Sequence, residues 1–214
     1  MKKGIIFDMD GTLWDAAENI ACSWNKTILR EKGALREITP DDLKHVMGRT
    51  MAELAGLLFP MLEEEEAHAL VGLCGEEENE YLRVHGGVLY PDLEGTLEFL
   101  AGDYALTIVS NCQKGYIEAF LDYYQFWNYF QDIECFGNNQ MGKAYNIAQV
   151  VKRNGFEDAV YVGDIQGDYD ASREAGVKFI HAAYGFGTIS EEVPYIREFA
   201  ELPGVLKEVF KGEL

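Results

Sequence analysis

The fold is decided by the stretch Gly4–Leu13, which reads GIIFDMDGTL. Its first half contains the short apolar run Ile5–Phe7, which is typical of a strand that is buried on both faces. Two aspartates one residue apart, Asp8 and Asp10, end this run, and a Gly-Thr turn signal follows them. Because ligands of open parallel sheets bind beyond the carboxyl ends of the strands, the pattern predicts that both aspartates lie at a functional site.

The spacing of Asp8 and Asp10 indicates a cation. Side chains at positions i and i+2 of an extended segment point to the same side, so the two carboxylates repel each other unless a cation neutralises them. A hard divalent ion such as Mg2+ suits oxygen ligands of this kind. The alternative is that one of the aspartates caps a helix or shapes a turn, but Asp-Met-Asp-Gly-Thr directly after an apolar run favours function.

Length and composition narrow the class of protein. The chain has 214 residues, of which 48% are hydrophobic, which suits one domain or a core with a smaller insert. The net charge of −19 repels nucleic acid and anionic membranes, so neither is expected as a partner. With no signal-peptide pattern and no apolar run of membrane-spanning length, we expect a cytoplasmic protein. The sequence leaves open whether it is a monomer or a homodimer. The cysteines are scattered and are expected to be reduced: Cys22, Cys74, Cys112 and Cys135.

The order of elements predicts an α/β fold. Residues 14–82 show helical periodicity without a convincing strand, whereas strands and helices alternate in the rest of the chain. Alternation of this kind predicts a Rossmann-like parallel sheet with helices on both faces. The sequence therefore predicts a core formed by residues 1–13 and 83–214, with residues 14–82 as a helical cap inserted after the first strand.

Two further segments place polar residues near the same edge of the sheet. Ser110 and Asn111 follow the predicted strand 104–109, and a hydroxyl, an amide and free backbone N–H groups there suit phosphate oxygens. An ordinary turn is the alternative. Lys143 opens the predicted helix 142–154, where the helix dipole disfavours a cation, so it is expected to neutralise a phosphate or a carboxylate unless it is simply solvated.

The last central strand leads into Gly163-Asp164 and, four residues later, Asp168. Asp164 follows a buried apolar run and is expected to complete a carboxylate site with Asp8. Asp168 is expected to hold a metal-bound water or to orient Lys143. The competing interpretation of Asp168 is that it caps the following helix.

These motifs, taken together, resemble those of the haloacid dehalogenase superfamily, in the subfamily that carries a helical cap and includes phosphoglycolate phosphatase-like members. The stretch Phe7–Leu13 looks like the first motif of that superfamily, and the match extends over nearly the whole chain. The positions that correspond to the four motifs are, in order, Asp8 with Asp10, Ser110, Lys143, and Asp164 with Asp168.

The resemblance implies a Mg2+-dependent phosphatase that acts on a small phosphorylated metabolite. Asp8 is implied as the nucleophile that forms an aspartyl-phosphate, and Asp10 as the general acid and base. Asp8, Asp164 and the backbone carbonyl of Asp10 are expected to bind Mg2+. Lys143 and Ser110, with the backbone of Asn111, are expected to stabilise the phosphate oxygens.

Departures from related motifs weigh against other activities. Dehalogenases of this fold lack the second aspartate, which is present here as Asp10. Phosphomutases of the β-phosphoglucomutase type carry a histidine in the hinge after the first motif, whereas residues 15–20 contain none. Phosphonoacetaldehyde hydrolases use a cap lysine after Met-Gly, where this chain has Arg49. The alternatives kept are a phosphomutase and a non-enzymatic receiver-like switch that stores phosphate on Asp8.

Arg49 is the one cap residue singled out for substrate binding. It follows Gly48 in a predicted loop, where its guanidinium is able to pair with an anionic leaving group. The alternative is a solvated arginine at a helix start, which contributes little.

Overall fold

The computed structural model describes residues 2–212. Its strands have the following bounds, in chain order: β1 (Lys3–Phe7), β2 (Trp14–Asp15), β3 (Val88–Leu89), β4 (Ala105–Ser110), β5 (Phe130–Cys135), β6 (Asp158–Gly163), β7 (Lys178–Ala182) and β8 (Tyr195–Ile196). Its helices are α1 (Ala17–Lys32), α2 (Pro40–Lys44), α3 (Met51–Leu58), α4 (Glu64–His85), α5 (Leu93–Ala101), α6 (Tyr116–Tyr124), α7 (Phe136–Asn139), α8 (Lys143–Asn154), α9 (Gln166–Glu174) and α10 (Leu202–Lys211).

A parallel sheet forms the centre of the molecule, with strand order β5-β4-β1-β6-β7-β8 within residues 2–212. Strand β1 lies between β4 and β6, so that Phe7 is in register with Ile108 on one side and Val162 on the other. The carboxyl ends of β1, β4 and β6 are therefore neighbours. This order brings the loops after these three strands to one edge of the sheet, as the sequence predicts.

Helices cover both faces of the sheet, which confirms the predicted α/β architecture. The side chains of β1 alternate between two apolar clusters, because successive residues of a strand point to opposite faces. Ile5 and Phe7 pack in the larger cluster, which includes residues of α5, α6 and α10. Ile6 packs in the smaller cluster with Ile147 of α8 and Ala171 of α9. All three β1 side chains are fully buried, as expected of a central strand.

The helical segment between β2 and β3 contains α1 to α4, with α1 and α3 both packed against α4. β2 and β3 pair antiparallel where the chain leaves the sheet region and returns to it. At the start of α2, Thr39 accepts a hydrogen bond from the backbone of Asp42, and the Asp42 carboxylate accepts one from the backbone of Thr39, with Pro40 in the first turn. Thr50 and Glu53 form the same reciprocal cap at the start of α3.

Two segments beside the sheet have local features that position them. Helix α6 begins at Tyr116, because Gly115 adopts a left-handed backbone conformation with φ of 95° that a helix does not accommodate. The chain after Pro194 first adds β8 to the edge of the sheet, where the backbone of His181 donates to the carbonyl of Pro194, and then forms α10.

None of the helices within residues 2–212 combines the length and the hydrophobicity that a bilayer crossing requires.

Gly137 in α7 provides a test of the packing beside the loop that follows β4. A Cβ atom at this position would lie 2.1 Å from the backbone nitrogen of Lys114 and 2.6 Å from the carbonyl carbon of Gln113. We expect Gly137→Ala to lower the free energy of unfolding by about 1–3 kcal/mol, since backbone has to move to admit the methyl group. Urea denaturation measures the change.

The matched control is Gly95→Ala in the interior of α5, where an added Cβ meets no atom within 4 Å. This substitution should instead raise the free energy of unfolding by about 0.5–1 kcal/mol, because alanine restricts the unfolded chain. Equal stabilities for the Gly137→Ala protein and the wild type would contradict the close approach of Gly137 to the backbone of Gln113 and Lys114.

Candidate active site

Asp8 is the first residue after β1 and is held from two directions. Its backbone N–H donates to the carbonyl oxygen of Val162 at 2.9 Å, which continues the β1–β6 ladder by one residue. Its carboxylate Oδ1 accepts hydrogen bonds from Lys143 Nζ at 2.9 Å and from Tyr161 Oη at 3.3 Å. Asp8 is 2% exposed, so this oxygen lies in a buried and strongly polar environment.

Lys143 is buried at the start of α8, and its ammonium group bridges two carboxylates. Nζ donates to Asp8 at 2.9 Å and to Asp168 at 2.5 Å. Burial alone would lower the pKa of Lys143, but the carboxylates of Asp168 and Asp8 outweigh it and raise the pKa above its ordinary value. The unfavourable position in the helix dipole is thus offset by two ion pairs, which is the outcome that the sequence predicts.

Asp168 contacts both Lys143 and the start of α9, whereas the expected contact with a metal-bound water stays a prediction. One carboxylate oxygen accepts from the backbone N–H groups of Asp164 and Ile165, at 3.0 and 3.2 Å, and so caps α9. The other oxygen accepts from Lys143. Capping fixes the carboxylate in place, and the fixed carboxylate in turn orients Lys143 toward Asp8.

A group of carboxylates suited to a cation lies at this edge of the sheet. Asp8, Asp164 and Asp168 each offer a carboxylate oxygen, and these atoms lie within 4.8 Å of one another. Oδ2 of Asp164 accepts from the backbone of Phe186 at 2.7 Å, whereas Oδ1 is buried without a hydrogen-bond partner. Such an orphaned oxygen beside two further carboxylates fits a hard divalent ion such as Mg2+.

The pKa values of the Asp8 and Asp164 carboxyl groups indicate an excess of negative charge at this site. Burial, followed by repulsion from Asp168, raises the pKa of Asp8 to about 6 although Lys143 lowers it. Burial and the neighbouring Asp168 and Asp8 carboxylates raise the pKa of Asp164 well above its ordinary value. One lysine therefore does not neutralise three carboxylates, and a divalent cation would supply the missing positive charge.

Asp10 occupies a different environment from Asp8. Its Oδ1 accepts a hydrogen bond from Tyr116 Oη at 2.6 Å, and its carboxylate is not part of the group formed by Asp8, Asp164 and Asp168. Burial raises the pKa of Asp10 to about 8, although the hydrogen bond from Tyr116 opposes this. The prediction that its backbone carbonyl faces the metal stays a prediction.

Ser110 and Asn111 lie where predicted, at the carboxyl end of β4. Ser110 is 5% exposed and is in register with Cys135 of β5. The Asn111 amide donates from Nδ2 to the backbone carbonyl of Gly48 at 2.8 Å, and its Oδ1 is buried without a partner. The Asn111 side chain therefore fastens the helical segment to this edge of the sheet.

Two openings lie between the helical segment and the sheet edge. The larger is a cleft of about 900 Å³ between the loop around Gly48 and the loops around Gln166 and Phe186. The smaller is a cavity of about 50 Å³ that reaches Asp10. Arg49 is exposed and lines both openings, which is compatible with the predicted substrate contact without testing it.

Several residues at the site escaped sequence reasoning. Tyr161 lies within the apolar run of β6 and Tyr116 within the apolar face of α6, so both read as core residues. Glu78 of α4 and Gln113 line the cavity beside Asp10 and carry no motif. The available signal for Glu78 was a charged residue on the largely apolar, inward face of α4.

Comparison with known proteins identifies the family. The sequence profile of the haloacid dehalogenase-like hydrolases matches residues 5–182. A phosphoglycolate phosphatase from Aquifex aeolicus (strain VF5) is 31% identical over 197 residues, which are 89% of each chain. A second phosphoglycolate phosphatase, from Agrobacterium fabrum (strain C58 / ATCC 33970), is 28% identical over 97% of this chain and 94% of its own.

Solved structures show the same fold. The crystal structure of a predicted phosphoglycolate phosphatase from Haemophilus somnus 129pt superposes with a TM-score of 0.81 over 96% of this chain and 98% of its own, at 21% identity. A predicted phosphatase from Clostridium acetobutylicum gives a TM-score of 0.79 over 97% and 99% of the two chains, at 19% identity. The chain therefore belongs to the haloacid dehalogenase-like hydrolase family and is an enzyme of the phosphoglycolate phosphatase-like type.

Proposed function

We propose that the protein is a Mg2+-dependent phosphatase that hydrolyses small phosphate monoesters through an aspartyl-phosphate on Asp8. One observation carries this proposal: two carboxyl groups leave the same strand end but have different partners. Lys143 contacts Asp8 and favours its ionised form, whereas Asp10 accepts only a hydrogen bond from the neutral Tyr116 hydroxyl, and burial raises its pKa to about 8 although this hydrogen bond opposes the rise. A nucleophile and a general acid need this kind of separation, since one has to be ionised while the other holds a proton.

The reaction proceeds in two displacements. A carboxylate oxygen of Asp8 attacks phosphorus, the phosphorus–oxygen bond to the leaving group breaks, and Asp10 gives its proton to the departing oxygen. Asp10, now ionised, takes a proton from water, and the water oxygen attacks phosphorus while the bond to Asp8 breaks. Inorganic phosphate leaves, and both carboxyl groups return to their starting states.

The phosphate oxygens need local positive charge, because the chain as a whole carries a net charge of −19. Lys143 supplies it at the oxygen of Asp8 that it contacts. Ser110 and the backbone N–H of Asn111 supply neutral donors at the adjacent strand end. Phosphoryl transfer depends mainly on such positioning and charge stabilisation.

Mg2+ would be held by the carboxylates of Asp8 and Asp164 and the backbone carbonyl of Asp10, with Asp168 behind them. When bound, it would neutralise charge between these carboxylates and the phosphate. The orphaned Oδ1 of Asp164 supports this assignment. Asp168 keeps its contacts with Lys143 and the α9 backbone, which hold the site in shape.

The helical segment would act as a cap formed by residues 14–82, with residues 1–13 and 83–214 as the core domain. Its hydrogen bond from Asn111 to Gly48 supports a position over the sheet edge, where a cap limits the access of water. The proposed partner is a small phosphorylated metabolite of the cytoplasm. Arg49 would contact the anionic part of such a substrate at the rim of the cavity.

Metal dependence gives the first test of this proposal. EDTA should abolish phosphate release from small phosphomonoesters, and Mg2+ should restore it without a bisphosphate activator. Mg2+ should also raise the melting temperature of the wild type, because a ligand that binds only the folded state stabilises it.

The matched variant Asp164→Asn should lose most of the Mg2+-induced rise in melting temperature. Full activity in metal-free buffer would rule out the mechanism. Interconversion of hexose phosphates faster than phosphate release would favour a phosphomutase instead.

Replacement of the nucleophile gives the second test. Asp8→Asn should abolish turnover, because an amide does not attack phosphorus and binds metal poorly. Phosphate release measures the loss, and circular dichroism with thermal melting checks that the fold is retained. The control Asp103→Asn makes the same change at an exposed position and should keep wild-type activity. Substantial turnover by a folded Asp8→Asn protein would remove Asp8 from this role.

Replacement of Arg49 tests the cap contact. Arg49→Ala should raise KM for phosphoglycolate by about tenfold, the usual effect of losing a hydrogen bond to a charged group. It should change KM for p-nitrophenyl phosphate much less, because that leaving group has no carboxylate. Arg197→Ala, also exposed, is the control and should change neither. Equal effects of Arg49→Ala on both substrates would show that Arg49 does not contact the leaving group.

A further inference from the structure

Glu78 is a buried carboxylate that the proposed reaction does not use. It lies on α4 and is 3% exposed. Its Oε2 accepts a hydrogen bond from Trp24 Nε1, and its Oε1 accepts one from Gln113 Nε2 at 2.9 Å. Both oxygens therefore act as acceptors from fixed neutral donors.

Glu78 has no direct cationic partner within residues 2–212. It forms no ion pair there, although Arg49 lines the same cavity, and its hydrogen-bond partners are the neutral side chains of Trp24 and Gln113. A buried carboxylate without a cation is costly unless a ligand or a proton compensates it. Burial accordingly raises the pKa of Glu78 to about 7. A carboxyl group kept in this position therefore needs an explanation beyond packing.

The position of Glu78 relative to Asp10 supplies that explanation. Both residues line the cavity of about 50 Å³ between the cap and the loop after β4. The charge of Glu78 contributes to raising the pKa of both Asp10 and Tyr116, which reflects their proximity. If Asp10 protonates the leaving oxygen, as the proposed function requires, the leaving group begins at Asp10 and extends into this cavity.

We propose that Glu78 determines substrate specificity by accepting a hydrogen bond from a hydroxyl or an ammonium group on a short leaving group. This inference rests on the proposed phosphatase function. The cavity of about 50 Å³ has room for a short leaving group of about four non-hydrogen atoms. Arg49 lines the same cavity and is exposed, so it would contact an anionic group at the rim.

The geometry favours a donor on the substrate over an acceptor. An ionised carboxylate has about four acceptor positions, and Trp24 and Gln113 use two of them. Nε2 of Gln113 also lies 3.0 Å from Asn79 Oδ1 and 3.3 Å from the backbone carbonyl of Gly75, so that its two hydrogens are shared among these acceptors and Glu78, which fixes the amide and with it the carboxylate. The remaining acceptor positions suit a hydroxyl or an ammonium, whereas a carboxylate beside Glu78 would meet like charge.

A matched series of substrates tests the proposal. Ethyl phosphate, 2-hydroxyethyl phosphate, phosphoethanolamine and phosphoglycolate all have leaving groups with two carbons but carry a methyl, a hydroxyl, an ammonium and a carboxylate. In Mg2+ buffer, kcat/KM of the wild type for the hydroxyl or the ammonium substrate should exceed that for ethyl phosphate by about tenfold or more. A preference for only one of the two identifies which donor Glu78 accepts from.

The variant Glu78→Gln separates specificity from catalysis. It retains the shape of the side chain but replaces one acceptor oxygen by a donor, so the preference over ethyl phosphate should disappear. Activity on phosphoglycolate should rise, because a like charge is removed. Glu76→Gln makes the same change at an exposed position of the same helix and should leave all four values of kcat/KM unchanged.

The possible outcomes separate the role of Glu78 from the proposed phosphatase function. Equal kcat/KM of the wild type for the methyl, hydroxyl and ammonium substrates would overturn the role of Glu78 but leave the phosphatase proposal intact, even where Glu78→Gln fails to fold. An unchanged preference in a folded Glu78→Gln protein would overturn it as well. If the wild type released no phosphate from any of the four substrates or from acetyl phosphate, the proposed function would be wrong, and this inference with it.

Discussion

The ammonium group of Lys143, placed between Asp8 and Asp168, is the interaction on which the rest of the site depends. All three side chains are at most 4% exposed, so their charges are poorly solvated and each needs the others. Removing one member of a buried ion pair typically costs several kcal/mol, because it leaves an uncompensated charge. The interaction also joins three separate elements, since Asp8 follows β1, Lys143 begins α8 and Asp168 lies in α9. The geometry of the site therefore depends on how these three elements pack, and the ion pairs of the site in turn hold the elements together.

The strand order makes this interaction possible. With β1 between β4 and β6, the residues that follow the three strands meet at one edge, although up to 156 positions of sequence separate Asp8 from Asp164. The same convergence concentrates carboxylates, and burial raises the pKa values of Asp8 and Asp164. Lys143 neutralises only part of the negative charge of these carboxylates. An acidic protein thus has, at this one edge, a site that is suited to a divalent cation and a phosphate.

The sequence was sufficient for the parts of the site that backbone topology determines. Asp8 and Asp164 directly follow buried strands, Ser110 ends one, and Lys143 opens a helix, so a parallel sheet brings these residues to one edge. Tyr116 and Glu78 were not predictable in this way. Each lies on a helix among apolar residues, and its contact with the site depends on how two distant helices pack. The chain carries no local signal for that packing, because propensity and periodicity describe one element at a time.

The cap is held to the same loop that would bind phosphate. Asn111, next to Ser110, donates to Gly48, while Asn79 of α4 donates to the backbone of Lys114 and Gln113 donates to that of Gly75. These hydrogen bonds cross between the cap and the loop after β4 in both directions. A shift of α4 would therefore displace the loop that begins at Ser110. In the proposed enzyme, recognition of a leaving group by the cap and positioning of the phosphate by the core would therefore be mechanically coupled, because both would depend on this short segment of backbone.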